Sequence, residues 1–261
     1  MENLVGAEAE RIWLSTFHSF CAKLLRFEID GFEGYTRNFT IYDATDQQTL
    51  IKDCLKELNL DDKQFPPRSV LGTISGAKNA LLSSQAFARR AGDFYEQKVA
   101  DVYDLYEKKL KANNALDFDD LLLLAVRLLQ EKEDVREKYQ DRFQYILVDE
   151  YQDTNHAQYM LTHMLAAKWK NICVVGDADQ SIYAWRGADI RNIMDFNRDY
   201  PQAASIKLEQ NYRSTKTILK AANAVIDNNM DGRRKISGQR TRKAIKSFII
   251  MPRQNTMKPI T

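Results

Sequence analysis

The sequence predicts a mixed α/β protein, a helical first half followed by part of a parallel-sheet domain. Apolar residues recur at helical spacing through the first half, as in Phe17, Phe20, Cys21, Leu24 and Leu25. After Tyr139 two short runs rich in β-branched residues, 143–148 and 172–175, alternate with helical segments. Strand-helix-strand alternation closes through right-handed crossovers into a parallel sheet covered on both faces. The 261 residues, 44% apolar and 28% charged with only 10 Gly and 5 Pro, suffice for a sizeable core.

Each element has its own signal. Gly31 and Gly34 end the first helix. A second starts near Thr45 or Asp46 and puts Leu50, Ile51, Cys54, Leu55 and Leu58 on one face. Pro66-Pro67 punctuates the chain, and Pro67 suits a first helical turn. A long amphipathic helix runs from Asp93 to Asn113, striped by Tyr95, Val99, Val102, Tyr103, Tyr106 and Leu110, and another follows Asp117. The run 143–148 reads as a buried strand, 155–169 as a helix and 172–175 as a second strand ending at Gly176. A helix near 189–198, a weaker strand at 205–208 and a helix over about 215–228 complete the pattern.

Composition excludes several classes. No stretch of 18 uncharged apolar residues exists, and Met1-Glu2-Asn3 does not begin a signal peptide. Cys21, Cys54 and Cys173 have no CxxC spacing, and His18, His156 and His163 do not join them in a ligand set. They are expected to be reduced, buried thiols of a cytoplasmic protein. The net charge of +2 hides a split: residues 230–261 hold nine basic groups and one acid, +8, while the other 229 residues sum to −6. Apart from Phe248 to Met251 the basic tail lacks apolar patterning and is expected to be disordered or non-native.

Four segments can carry chemistry. Ile146-Leu147-Val148 delivers Asp149 and Glu150 at a strand's C-terminal end, where parallel sheets bind ligands. An Asp there can hold Mg²⁺, and a Glu can orient or deprotonate water. In isolation such a pair is more often a solvated strand end. The second strand delivers Gly176, Asp177, Asp179 and Gln180 to the same edge, where a bound divalent metal would relieve the mutual repulsion of four carboxylates. Tyr183, Trp185 and Arg186 follow as a stacking platform for single-stranded bases, or as core aromatics. Tyr212 and Arg213 join a strand to a helix, where the arginine can grip a phosphate and the tyrosine can stack on a purine. The plain alternative is a helix cap by Ser214 or Thr215 beside a surface arginine.

Thr16 to Cys21 (TFHSFC), Asp149 to Asn155 (DEYQDTN), Gly176 to Gly187 (GDADQSIYAWRG) and Gln210 to Ser214 (QNYRS), in this order, resemble the ordered motifs of superfamily-one DNA helicases of the UvrD/PcrA/Rep group. The resemblance runs from about Val5 to Asn228. It implies a 3′-to-5′ ATP-dependent DNA helicase of repair or replication, built of RecA-like domains that carry helical insertions, and using ATP and Mg²⁺. On that basis Asp149 would be the Mg²⁺ ligand, Glu150 the water-activating carboxylate and Gln180 a γ-phosphate sensor. Tyr212 would stack on adenine, and Arg213 would reach the γ-phosphate. Thr16, Phe17, His18, Tyr183, Trp185 and Arg186 would contact single-stranded DNA. Residues 1–21 and 115–204 would form a first RecA-like domain, 22–114 its helical insertion and 205–229 the start of a second.

The sequence also departs from that pattern. It contains no GxxxxGK[ST] phosphate loop, and the family's later motifs are absent. The chain is therefore expected to be a central fragment, inactive as an ATPase by itself. The alternative function is a non-catalytic fragment with at most weak single-stranded DNA binding. The tail suggests a shifted reading frame: if Ile236 to Thr241 were encoded ATC TCT GGA CAG AGA ACN, dropping two bases would give Leu-Trp-Thr-Glu-Asn, which resembles the family's sequence after this helix.

Overall fold

The computed structural model describes residue 6, residues 12–184, 187–208 and 210–228, and the backbone of 247–252. Contacts divide the chain into two compact units, 1–135 and 136–261.

The first unit is helical. Thr16 caps α1 (Phe17–Glu28), its Oγ1 accepting from the Ser19 N–H at 3.3 Å. Cys21, Leu24 and Leu25 form the buried face of this helix. It packs on α6 (Phe118–Glu131), whose residues Leu121 to Val126, Leu128 and Leu129 are all buried. Between these two lie α2 (Ala44–Glu57), α3 (Pro67–Asn79), the short α4 (Ser84–Ala88) and α5 (Phe94–Ala112). Pro67 opens α3 as the sequence predicts, and Asp93 and Asn113 are the caps of α5. The cap of α2 is Asp43, a little earlier than expected, in a capping box with Asp46. Leu50, Ile51, Val70, Ile74, Val102 and Tyr103 form the core these helices share. Two-residue strands β1 (Thr40–Ile41) and β2 (Ala115–Leu116) pair in parallel beside it. They bring the two ends of the 40–116 stretch together.

The second unit holds the sheet. From α7 (Glu133–Arg142) the chain enters β3 (Ile146–Val148), crosses through α8 (His156–Ala166) and returns in β4 (Ile172–Gly176), parallel to β3 and in register at Val148 and Val174. The helix expected near 189–198 is two short ones, α9 (Arg191–Met194) and α10 (Phe196–Asp199), before β5 (Ala203–Leu208) and α11 (Lys216–Ile226).

Two expectations need correction. The strand read over 143–148 is shorter, and among the described residues it is an edge strand with one pairing neighbour: Tyr145 is 67% and Leu147 76% exposed. The sheet is also not wholly parallel. Its order is β3-β4-β6-β5, with β6 (Ser247–Pro252) antiparallel to both neighbours. Those six residues of the tail expected to be disordered or non-native are thus a strand, and the rest of 229–261 lies outside the described residues. Because β6 is antiparallel to both β4 and β5, and β3 is parallel to β4, the strands β3, β4 and β5 all run the same way. Gly176 and Lys207 both pair with Phe248, so the C-terminal ends of β4 and β5 lie on one edge.

Among the described residues no helix is long and apolar enough to cross a membrane. Cys21, Cys54 and Cys173 are free and buried.

Candidate nucleotide and nucleic-acid site

The ends of β3 and β4 build the site. Val148 is the last buried residue of β3, and Asp149 and Glu150 emerge exposed beyond it. Glu150 takes a left-handed backbone (φ 50°, ψ 43°), uncommon for a residue with a side chain and sharp enough to turn the chain at once into a 3₁₀ turn, Tyr151–Asp153. Its N–H donates to Asp149 Oδ1 at 2.9 Å.

At the end of β4, Asp177 is buried, accepting from the Asp179 N–H at 3.0 Å and from Gln180 Nε2 at 2.9 Å. Gln152 joins the two strand ends. Its Nε2 donates to Glu150 Oε2 at 2.7 Å, and its Oε1 accepts from the Asp177 N–H at 3.0 Å. Gly176 makes room for this amide. A Cβ there would sit 2.5 Å from Gln152 Oε1, 2.8 Å from Ile193 Cδ1 and 3.2 Å from the Tyr151 nitrogen.

The electrostatics follow from burial. Desolvation raises the Asp177 carboxyl above its ordinary range; hydrogen bonds from Gln180 and Asp179 pull it back, and the Asp179 and Glu150 carboxylates push it up again. Asp153 is raised by burial and then by Glu150, and its Oδ1 has no hydrogen-bond partner. Among the described residues no three acidic, His or Cys groups form a ready metal cage. The exposed carboxylates of Asp149 and Glu150 are oxygen donors of the kind Mg²⁺ takes, one or two at a time together with waters and phosphate oxygens.

The aromatic segment that follows is pinned to the same 3₁₀ turn at both ends. Ser181 Oγ donates to the Gln152 carbonyl at 3.3 Å, and the Asp189 N–H donates to the Thr154 carbonyl at 3.0 Å. Asn192 Nδ2 adds bonds to Thr154 O at 2.9 Å and Oγ1 at 3.1 Å. Tyr183 is exposed between these anchors, which disfavours a core role for it. Trp185 and Arg186 lie outside the described residues.

The other expected site residues are placed as follows. Tyr212 is 91% exposed and free to stack. Arg213 is exposed on the loop after β5, held by Asn211 Oδ1, which accepts from the Arg213 and Ser214 N–H groups at 3.0 and 2.9 Å. Thr215 caps α11 without a side-chain bond, so Asn211, not Ser214 or Thr215, organises this turn. In the first unit Thr16 is spent on capping α1 but remains exposed. Phe17 is half-buried, and His18 packs edge-on against Phe118 with ring centroids 5.9 Å apart; burial lowers its pKa, favouring the neutral form at neutral pH. The structure thus unites Asp149, Glu150, Asp177 and Gln180 through hydrogen bonds and brings the Arg213 loop to the same sheet edge.

The sequence reading missed two features. Gln152 was hidden inside a motif, although Gly176 signalled a close approach. In the first unit, Lys78 is fully buried with its Nζ 2.8 Å from Asp117 Oδ2 and 2.6 Å from Asp120 Oδ1, and Tyr106 OH donates to Asp117 Oδ2 at 3.0 Å. This cluster ties α3 to the start of α6.

The fold and site define the class first: an α/β sheet presenting carboxylates and an amide at the carboxyl ends of parallel strands, where such sheets take ligands. The chain belongs to the UvrD/REP helicase family: the sequence model of the UvrD/REP helicase N-terminal domain matches residues 1–201, and that of the UvrD-like helicase C-terminal domain matches residues 206–258. It is 58% identical over 229 residues to the ATP-dependent DNA helicase PcrA of Bacillus subtilis, covering 88% of this chain and 31% of that protein. The proteins of the same description from Staphylococcus aureus and Staphylococcus epidermidis are 56% and 55% identical over 231 residues, again 88% of this chain and 32% of theirs. The chain spans about a third of the length of the curated relatives it matches.

Proposed function

We propose that this chain supplies the hydrolytic edge and part of the single-strand contact surface of an ATP-driven 3′-to-5′ DNA helicase acting in repair or replication. The observation that carries the reading is the hydrogen-bonded line Glu150–Gln152–Asp177–Gln180 at the sheet edge. Asp149 would hold Mg²⁺, whose chemistry is to bridge and neutralise phosphate oxygens. Glu150, exposed beyond β3 and held at one oxygen by Gln152, orients the attacking water and receives its proton. Gln180 is exposed and bonded to Asp177, so it can exchange that partner for a γ-phosphate oxygen. Tyr212 stacks on adenine, and Arg213 offers two parallel N–H bonds to the γ-phosphate. Thr16, Phe17 and His18 of the first unit would contact single-stranded DNA, as would Tyr183, Trp185 and Arg186 of the second.

In this reading residues 1–21 and 115–204 belong to one RecA-like domain, 22–114 to its helical insertion and 205–229 to the start of a second. The 261 residues contain no GxxxxGK[ST] loop, the element that cradles nucleotide phosphates. That favours a second statement about the chain itself: alone, it releases no phosphate from ATP above a Glu150→Gln control.

The test is a chimera in which the matched 229 residues of the Bacillus subtilis relative are replaced by those of this chain. DNA-stimulated ATP hydrolysis is expected to survive, and Glu150→Gln within the chimera to lower kcat by about a hundredfold or more, the scale of removing a general base. A folded chimera in which Glu150→Gln leaves kcat unchanged would overturn the assignment.

A further inference from the structure

Gln152 has no part in the chemistry just described, yet it is almost completely buried at its centre. Three of its atoms are engaged. Nε2 donates to Glu150, Oε1 accepts from the Asp177 N–H, and the backbone carbonyl accepts from Ser181 Oγ at the head of the aromatic segment. A primary amide is flat and has one donor end and one acceptor end. Here the donor end is fixed on a carboxylate of one strand end and the acceptor end on a backbone N–H of the other.

The amide has little freedom to lose either bond alone. The Gly176 backbone lies so close that even a methyl group would overlap Gln152 Oε1. On the other side Glu150 follows β3 in a left-handed conformation, and its Oε2 accepts from Gln152 Nε2 at 2.7 Å. Asp177 is itself the acceptor for Gln180 Nε2. Gln180 moving off Asp177 would alter the β4 end, and the rigid amide would carry that change to Glu150.

We infer that Gln152 is a positioning residue that couples the Asp177–Gln180 end of β4 to the orientation of the Glu150 carboxylate. The inference rests on the reading of Glu150 and Gln180 given above for its functional meaning, but not for its measurement.

The test uses the full 261-residue chain, ¹⁵N-labelled, with hydrogen exchange of the Asp177 backbone amide as the reporter. Three variants are read against the parent: Glu150→Ala, Gln152→Glu, and the double variant Glu150→Gln with Gln152→Glu. Glu150→Ala leaves Gln152 and β4 chemically intact. It is expected to speed Asp177 exchange about five- to tenfold, the factor for loosening one net hydrogen bond. Gln152→Glu sets two carboxylates against each other and should speed exchange by at least as much. The double variant remakes the bridge with donor and acceptor exchanged, and should return Asp177 exchange to within about twofold of the parent. A Gln152 that merely filled space would give no effect from Glu150→Ala and no rescue in the double variant, and either result overturns the inference.

In the Bacillus subtilis chimera, Gln152→Glu should lower kcat for ATP about tenfold or more with KM changed less than about threefold, because it misplaces the base without touching nucleotide contacts. Exchange coupling in the chain, together with a chimera indifferent to Glu150→Gln, would mean that the hydrolytic reading has failed while the coupling stands.

Discussion

Replacing Lys78 with methionine should cost the first unit a large part of its stability. The Lys78 side chain is fully buried, and the side chains of its partners Asp117 and Asp120 are 1% and 6% exposed. Tyr103 and Tyr106 face the ammonium with ring centroids 5.9 and 5.1 Å away. Methionine keeps the apolar stem and removes the charge. Asp117 retains bonds from the Asp120 N–H at 2.8 Å and Tyr106 OH at 3.0 Å, but Asp120 is left with only the Asp117 N–H at 3.0 Å. Stripping one partner from a buried ion pair costs about 3–5 kcal/mol, a large fraction of the roughly 5–15 kcal/mol by which a domain is stable. With a urea dependence of about 2 kcal/mol per molar, the unfolding midpoint should fall by roughly 2 M. The assay is urea unfolding at pH 9, above the value of about 8 to which burial pushes Asp120, followed by far-UV circular dichroism, with amide exchange in α6 to assign the transition to the first unit. Adding Asp120→Asn removes one stranded charge yet keeps an acceptor for the Asp117 N–H, and should restore about 1–2 kcal/mol. Acidification should shrink the Lys78→Met deficit, since the stranded carboxylates then take up protons. A midpoint loss under about 0.5 M, or a double variant no better than the single one, would refute the reasoning.

Two further outcomes are expected. Asp119, Asp153 and Asp177 are held above the ordinary carboxylate range and Asp120 is pushed up to about 8, mainly by burial. A group raised in the folded state stabilises fully below its unfolded pKa, and that stability is lost as pH rises toward the folded value, at up to about 1.4 kcal/mol per pH unit. Asp117 and Asp189 are lowered and act oppositely, losing their contribution only as pH falls below the usual carboxylate range. Urea midpoints should therefore be higher at pH 5.5 than at pH 8.5, and a flat or rising profile would contradict the burial of these groups. Tyr183→Ala should weaken binding of a fluorescent oligothymidylate to the chain by about five- to hundredfold, the range for one stacked base, while leaving the salt slope unchanged because no charge is removed. A changed slope with intact affinity at low salt would place the contact elsewhere.

Much of this was legible because the signals were local. Asp93 and Asn113 bound α5, Pro67 opens α3, and Asn155 caps α8 with Gln158 completing the box, all interactions within a few residues. β4 was legible because its neighbours bury it on both sides, so that almost every residue in it is apolar. β3 was misjudged for the converse reason: Leu147 is apolar yet exposed at a sheet edge, where composition no longer reports burial. The Lys78 cluster links residues 39 and 42 positions apart, and no periodicity encodes such a contact. Asp149, Glu150 and Gln180 could be placed at one edge by the strand pattern alone. The bonds joining them run through Gln152, whose importance depends on a three-dimensional approach signalled only by the missing side chain of Gly176.

That missing side chain also governs how the gene can change. Every missense mutation at the Gly176 codon adds a Cβ, and here the Cβ meets an amide oxygen, a methyl group and a backbone nitrogen, the first two so closely that the Gln152 amide and the Ile193 side chain must shift. Smaller and larger replacements are penalised alike from the first carbon onward. Relief would have to come from the doubly bonded Gln152 amide and the Ile193 side-chain end, with the Tyr151 nitrogen giving by a few tenths of an ångström. Drift at this codon should therefore be closed while the surrounding surface varies freely, and a library of random variants should return this position unchanged even under mild selection for folding alone.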